Sequence, residues 1–272
     1  MTNASRSFCA HVGALLLAAL TTAADAASFT SISQARSISI SGQMTLFSQD
    51  PDLPGYPITA VYSDGAQTDS AGFGVFDRSV GLGALSIADP LGDGFGAGRA
   101  GQISSFTPQR ISFEGAADVN LTGYAQPEAE ISGSGGASSR LTYGFSLDSA
   151  TAVMLTMDSE VGPSRSSYSF ALTQVGGGTV WNQTSLFDAD GNEIRSFTTL
   201  LQLDAGSYNL GVVLGASSQF RNEDAESGRA VASFTLSPVP EPGTASLAAV
   251  GFALLGALAY RRAQAMRQPL KG

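Results

Sequence analysis

Residues 141–172, LTYGFSLDSATAVMLTMDSEVGPSRSSYSFAL, set the fold class. Leu141, Tyr143, Phe145 and Leu147 alternate with small or polar residues. Val153, Leu155 and Met157 do the same, and then Tyr168, Phe170 and Leu172. A period of two places one set of side chains on each side of an extended chain, so each run is a half-buried strand. Three such strands separated by short polar breaks are the spacing of an all-β sandwich. The neighbouring sequence agrees. Ile111, Phe113, Ala117, Val119 and Leu121 predict a strand from Arg110 to Leu121, and Ala232, Phe234 and Leu236 predict a last strand that stops at Pro238. Leu200 to Leu214, LLQLDAGSYNLGVVL, reads as a closing hairpin with Tyr208, Leu210, Val212 and Leu214 turned inward. Tyr143, Tyr168 and Tyr208 share the parity of apolar neighbours and are expected in the core, whereas Trp181 sits beside polar residues.

Towards the N-terminus, Ile32, Ile38, Ile40, Met44 and Leu46 oppose Ser31, Ser33, Ser37, Ser39 and Ser41. Arg36 interrupts the apolar set, which places the start of the strand after it, or Arg36 at a sheet edge. Three prolines between Asp50 and Pro57 make a turn-rich break. Ile58 to Tyr62 and Gly72 to Phe76 are short strand candidates. Asp89 to Gly101, DPLGDGFGAGRAG, lacks the strand and helix that would frame a phosphate loop and reads as a flexible surface loop. Gln126 to Glu130 and the Ser-Gly run 132–139 read as a long exposed connection or a hinge between sub-regions. Asn222 to Glu226 reads as a solvated acidic loop.

Composition narrows the chemistry. The chain has 272 residues, one Cys and one His. Arg6, the apolar stretch Val12 to Leu20 and the small-residue site Ala24-Asp25-Ala26 make residues 1–26 a secretory signal with cleavage at Ala24 to Ala26. Cys9 and His11 fall inside that segment. The exported part then has no disulfide and no thiol or imidazole for nucleophilic catalysis or for zinc. Between Ser28 and Val239 there are 21 acidic residues against 9 arginines, so nucleic acid and anionic lipid are excluded as partners. Glu114, which lies within a strand candidate, is the point where a carboxylate-based hydrolase would be sought, and its parity opposite Phe113 places it in solvent. In FDADGNEI, 187–194, Asp190-Gly191 suits a tight hairpin. Asp188 and Asp190 are the calcium candidates there, although the spacing of a helix-loop-helix calcium site is absent.

The C-terminal run from Val239 to Arg262 is VPEPGTASLAAVGFALLGALAYRR. It joins Pro240-Glu241-Pro242 to an uncharged segment, 244–260, long enough for a helix across a hydrocarbon core. Arg261 and Arg262 then form a cytoplasmic stop cluster, followed by a cytoplasmic tail, 263–272. This tripartite pattern resembles the PEP-CTERM sorting domain of exported bacterial proteins, over residues 238–262. The resemblance implies an exosortase-type membrane peptidase that recognises Pro240, Glu241 and Pro242, an inner-membrane-anchored precursor, and a final place at the cell surface or outside the cell. It also implies an association with exopolysaccharide and biofilm. The sequence therefore reads as an antiparallel, jelly-roll-like β-sandwich, 28–237, between a signal peptide and a transmembrane helix. Its expected role is non-enzymatic, structural or adhesive, with calcium-dependent or calcium-free carbohydrate binding as the alternative.

Overall fold

A computed structural model describes residues 27–50, 52–70, 74–83, 85–161, 165–183, 196–222, 224–239 and 255–256. Ser28–Pro238 is one compact unit, built of two seven-stranded antiparallel sheets. The first sheet has β1 (Thr30–Ser48), β2 (Ile58–Ser70), β7 (Ala129–Leu147), β9 (Ser166–Gln174), β10 (Thr179–Gln183), β12 (Gly206–Arg221) and the short β13 (Asp224–Glu226). Its order is β10-β9-β12-β7-β1-β2, with β13 beside β12. The second sheet has β3 (Val75–Gly81), β4 (Ser86–Asp89), β5 (Gly92–Thr107), β6 (Arg110–Ala125), β8 (Thr151–Val161), β11 (Ser196–Leu203) and β14 (Gly228–Pro238). Its order is β11-β8-β14-β6-β5-β3, with β4 beside β5.

The alternation carried by the sequence puts one face of every long strand inside. Ile111, Ala117, Val119 and Leu121 of β6 and Leu210, Val212 and Leu214 of β12 are fully buried, as are Tyr143 and Phe145 of β7. Aromatic rings lock the sheets together: Phe106 stacks on Tyr143 at 3.9 Å, and Phe170 meets Phe234 edge-on at 5.2 Å. Such pairs add about 0.5–1.5 kcal/mol beyond area burial. Tyr168 and Tyr208 are buried, as expected, and the Tyr168 hydroxyl donates to Met157 Sδ of the opposite sheet at 2.7 Å. Trp181 is half-buried, edge-on to Phe170 and 5.2 Å from Phe197, so it closes the core between β10 and β11.

The structure corrects the reading of both glycine-rich stretches. Asp89 to Gly101 is no surface loop: a turn at Pro90-Leu91 leads into β5. Gly92, Gly94 and Gly96 occupy successive inward positions, and a Cβ on Gly96 would lie 2.8 Å from Leu82 and Leu121. The Ser-Gly run 132–139 is no hinge either. It is the middle of β7, paired along its length with β1 on one side and β12 on the other. Gly133 faces inward against Phe220, whose ring also fills the space that a Cβ on Gly123 would need. In both places glycine lets the sheets approach closely over Leu, Met and Phe side chains, and the period-two pattern is present with glycine in the apolar role.

Other expectations shift for topological reasons. Leu200–Leu214 is not a hairpin, because β11 pairs with β8 in one sheet and β12 with β7 and β9 in the other. The Asp204-Ala205-Gly206 turn is an arch between sheets, with Gly206 at φ 147°. Tyr208 Oη donates to the Asp204 carbonyl at 2.7 Å, the tyrosine corner that pins such arches. The hairpin expected at 187–194 lies outside the described residues, and the strands on either side of it, β10 and β11, belong to different sheets. Within Asn222–Glu226, β13 pairs with β12. Asn222, at φ 52°, accepts from Ile131 N through its side chain and donates its own N–H to the Ile131 carbonyl.

Arg36 lies inside β1, not before it or at an edge, and is 3% exposed. Its guanidinium donates to Gln34 Oε1 and to the Gly74 carbonyl, and it sits 4.4 Å over the Phe106 ring. Burial lowers its pKa, and Nε finds no acceptor among the described residues. A second inward polar cluster bridges the two sheets. Gln102 Nε2 donates to Ser104, and Ser139 donates across the sheets to Gln102 Oε1 at 3.3 Å. Ile32, expected inside, is 47% exposed because a bulge between Ser31 and Ser33 makes it the additional residue of β1.

Two substitutions test this packing. Gly96→Val introduces a residue suited to strands yet should cost about 1–3 kcal/mol through overpacking, read by urea unfolding on Trp181 fluorescence, while Ala97→Val stays within about 0.5 kcal/mol. Tyr208→Phe should cost about 0.5–1.5 kcal/mol in the same assay. Unchanged midpoints for both would refute the close approach and the corner.

Candidate functional site

The outward face of the first sheet is the least ordinary surface of the sandwich. Inward Ile38, Ile40, Met44 and Leu46 force the intervening residues of β1 outward: Ser37, Ser39, Ser41, Gln43 and Thr45. Register then lines them up with similar residues on the neighbouring strands. One row across the sheet is Gly65, Ser39, Ser138, Gly215 and Ser167. Another runs Ser63, Ser41, Gly136 and Ser217. Hydroxyls bond to each other across strands, Ser39 to Ser138 at 2.8 Å and Thr45 to Thr59 at 3.3 Å. With side chains this short, the face is flat and nearly uncharged.

Arg140 is the charge in the middle of that face. It borders an open depression of about 560 Å³ together with Ser37, Ser39, Gly65 and Ser138. None of the ion pairs formed among the described residues involves it. The arrangement offers one fixed positive charge ringed by hydroxyl donors and acceptors. That set suits a hydroxylated or carboxylated ligand held by hydrogen bonds. Among the described residues no aromatic side chain lines the depression.

At the end of the sheet, Arg221 and Glu130 form a two-pronged ion pair, both contacts at 2.8 Å, beside a depression of about 630 Å³ that Gln49, Gln126 and Asn222 also line. The hydrogen bond from Arg221 lowers the Glu130 pKa and raises that of Arg221. On the other sheet, Tyr56 donates to Asp89 Oδ1, which also accepts from Leu91 N at 2.9 Å. These bonds lower the Asp89 pKa, the Tyr56 bond contributing most, and they fasten the proline-rich stretch 50–57 to the β4–β5 turn.

Glu114 is exposed on the outer face of β6, between Ile103 and Ser233, which matches its expected solvent position and gives it no carboxylate neighbour across the strands. Ala24, Ala26, Asp188, Asp190, Pro240, Glu241, Pro242, Arg261 and Arg262 lie outside the described residues. Among the described residues no cluster of three His, Cys, Asp or Glu could hold a metal ion, and no helix is long and apolar enough to cross a membrane. Leu255 and Gly256, within the expected span 244–260, are helical. Sequence reading saw the serine parity of β1 but missed Arg140. The signal was its placement at an outward position of the Leu141–Leu147 pattern.

The C-terminal segment defines the class: an exported protein with a sorting signal. Residues 238–263 match the PEP-CTERM protein-sorting motif, beginning where β14 ends. The motif implies export by way of a membrane-anchored precursor and processing by exosortase, a membrane protein. No curated protein matches the chain. A structure of infectious bursal disease virus, Gx strain, is 7% identical over 80% of this chain and 58% of the viral one, with a TM-score of 0.23. The VP2 subviral particle of infectious bursal disease virus is 10% identical over 82% of this chain and 60% of its own, also at 0.23. The chain thus spans less than two thirds of those viral chains, and superpositions at this score define no shared fold.

The carboxylate pKa values set a pH dependence. A pKa lowered in the fold stabilises above the unfolded carboxylate value of about 4, and the contribution disappears as pH falls through the lower folded value. Hydrogen exchange at Leu91 N should therefore accelerate as pH drops below about 4 after correction for intrinsic rates, and Asp89→Asn should remove that extra acceleration. A variant with the same pH response as the parent would refute the Tyr56–Asp89–Leu91 link.

Proposed function

We propose that this chain is a non-enzymatic structural or adhesive protein of the bacterial cell surface or extracellular matrix, delivered by its PEP-CTERM segment and associated with exopolysaccharide. The observation that carries the reading is the match over residues 238–263, placed directly after a complete sandwich. Prolines on both sides of one acid disfavour helix and strand pairing at Pro240-Glu241-Pro242, which in sequence follows β14 after Val239 alone, so a membrane peptidase would meet it just outside the bilayer. Cleavage there releases or transfers an acidic domain that carries neither His nor Cys. That composition supports a non-catalytic role.

A second reading, carbohydrate recognition, is favoured by the hydroxyl face around Arg140. Each hydrogen bond there competes with water and is worth only about 0.5–1.5 kcal/mol net. Useful affinity then requires a polymer that engages many copies at once, which fits attachment to a matrix better than capture of a free sugar. Calcium enters this reading only through Asp188 and Asp190.

Mass spectrometry of the protein recovered from its exporting cells tests the processing. The expected product begins near Ala27 and ends near Pro240 to Pro242, and a mature product that retains Thr244 to Gly272 would overturn it. Co-sedimentation with the cells' own exopolysaccharide should fall on Arg140→Ala if the hydroxyl face carries the binding, and unchanged sedimentation removes that face from the account.

A further inference from the structure

A sheet edge exposes unpaired N–H and C=O groups that invite another strand, and proteins ordinarily block it with charge, shortness, irregularity or proline. Among the described residues six strands bound these two sheets, and five of them carry such a device. β10 has 5 residues and a register shift between Thr179 and Trp181. β13 has 3 residues, and Asp224 and Glu226 are two of them. β4 has 4 residues and ends on Asp89. β2 carries exposed Asp64, and β3 carries exposed Asp77 and Arg78.

β11 carries none. Its sequence, SFTTLLQL, has no charge, no Pro and no Gly over 8 residues, and it runs in unbroken register with β8. Among the described residues it pairs with β8 alone. Leu200 is 56% exposed and stands opposite Met154, 42% exposed, so an apolar step flanks the open ladder on the outer face.

We propose that the free edge of β11 is a self-association site, pairing antiparallel with β11 of a second copy to join two sandwiches through one continuous sheet. An antiparallel strand is complementary to itself about a two-fold axis, since each donor and acceptor along its edge meets the matching group of the partner. The chain carries a formal charge of −9, and most surfaces would bring acids together when two copies meet. β11 itself carries no acid, the closest being Asp158 opposite Ser196 on β8 and Asp204 just past its end, and the two-fold places the Leu200–Met154 step of each copy near that of the other. The partner is therefore this same chain and not an acidic or basic ligand.

The test uses the full chain in the cells that export it, with Cys9→Ser removing the one native cysteine and single cysteines placed at Thr198, Thr199, Leu200 or Gln202. Mild oxidation should give a covalent dimer that peaks at one of these positions and falls on either side, because only the residue nearest the two-fold axis meets its own copy. Ser134→Cys, exposed on the outer face of the other sheet, should give none. A lysine at whichever of Thr198 and Leu200 is not the cysteine should abolish the dimer by burying an unpaired charge at the seam in each copy. Both side chains are exposed, so folding is preserved. Equal cross-linking at all positions, no cross-linking above Ser134→Cys, or a dimer that survives the lysine would each overturn the proposal.

Discussion

The close approach of two sheets over a core of alternating bulk and absence of bulk governs this structure. Where one inner face carries glycine, the other carries Leu, Met or Phe: Gly115 under Leu214, Gly94 under Met44, Gly123 under Phe220. The high glycine content, 32 residues, is thus partly a packing feature and not solely a sign of turns. Residues 28–238 contain no cysteine, so the sandwich depends on packing for its stability, and dense interdigitation is how it is obtained. The same closeness explains why a side chain added at one of these glycines has no direction in which to relax.

Polar groups secure the places where the chain leaves one sheet for the other or departs from regular pairing. Tyr208 holds the arch from β11 to β12, and Asn222 substitutes for a strand partner of Ile131 where β12 ends. Asp89 anchors the proline-rich stretch through Tyr56. Arg36 is the exception, a buried cation whose guanidinium rests on Phe106 and on the oxygens of Gln34 and Gly74. An aromatic face and neutral oxygens compensate a cation less fully than a carboxylate does, which agrees with its lowered pKa.

Route and fold are encoded separately. The sorting motif is a short linear element, recognisable from Pro-Glu-Pro, an apolar run and a basic stop, and its reading needs no tertiary structure. The sandwich supplies surfaces, and those surfaces differ: one outer face is rich in hydroxyls around Arg140, with Phe47, Val61 and Val213 exposed on it, while the strands of the other sheet present acids, arginines and scattered apolar residues. A sandwich of this kind can host many functions, so its role rests on these surfaces and on where the protein is delivered.

By itself the sequence determined the strand class, the inward identity of Tyr143, Tyr168 and Tyr208, the solvent position of Glu114 and the sorting segment. All of these follow from local periodicity or from a linear motif. The tertiary structure decided which strands pair. It turned the Leu200–Leu214 hairpin into an arch, since a turn between two strands looks the same in sequence whether they join within one sheet or across two. It made strands of the Asp89–Gly101 and 132–139 stretches, because glycine signals both a loop and a close contact, and only the opposing side chain tells them apart. It also assembled the hydroxyl face around Arg140 and left β11 as the unguarded edge. Both depend on which residues stand side by side on strands far apart in the chain.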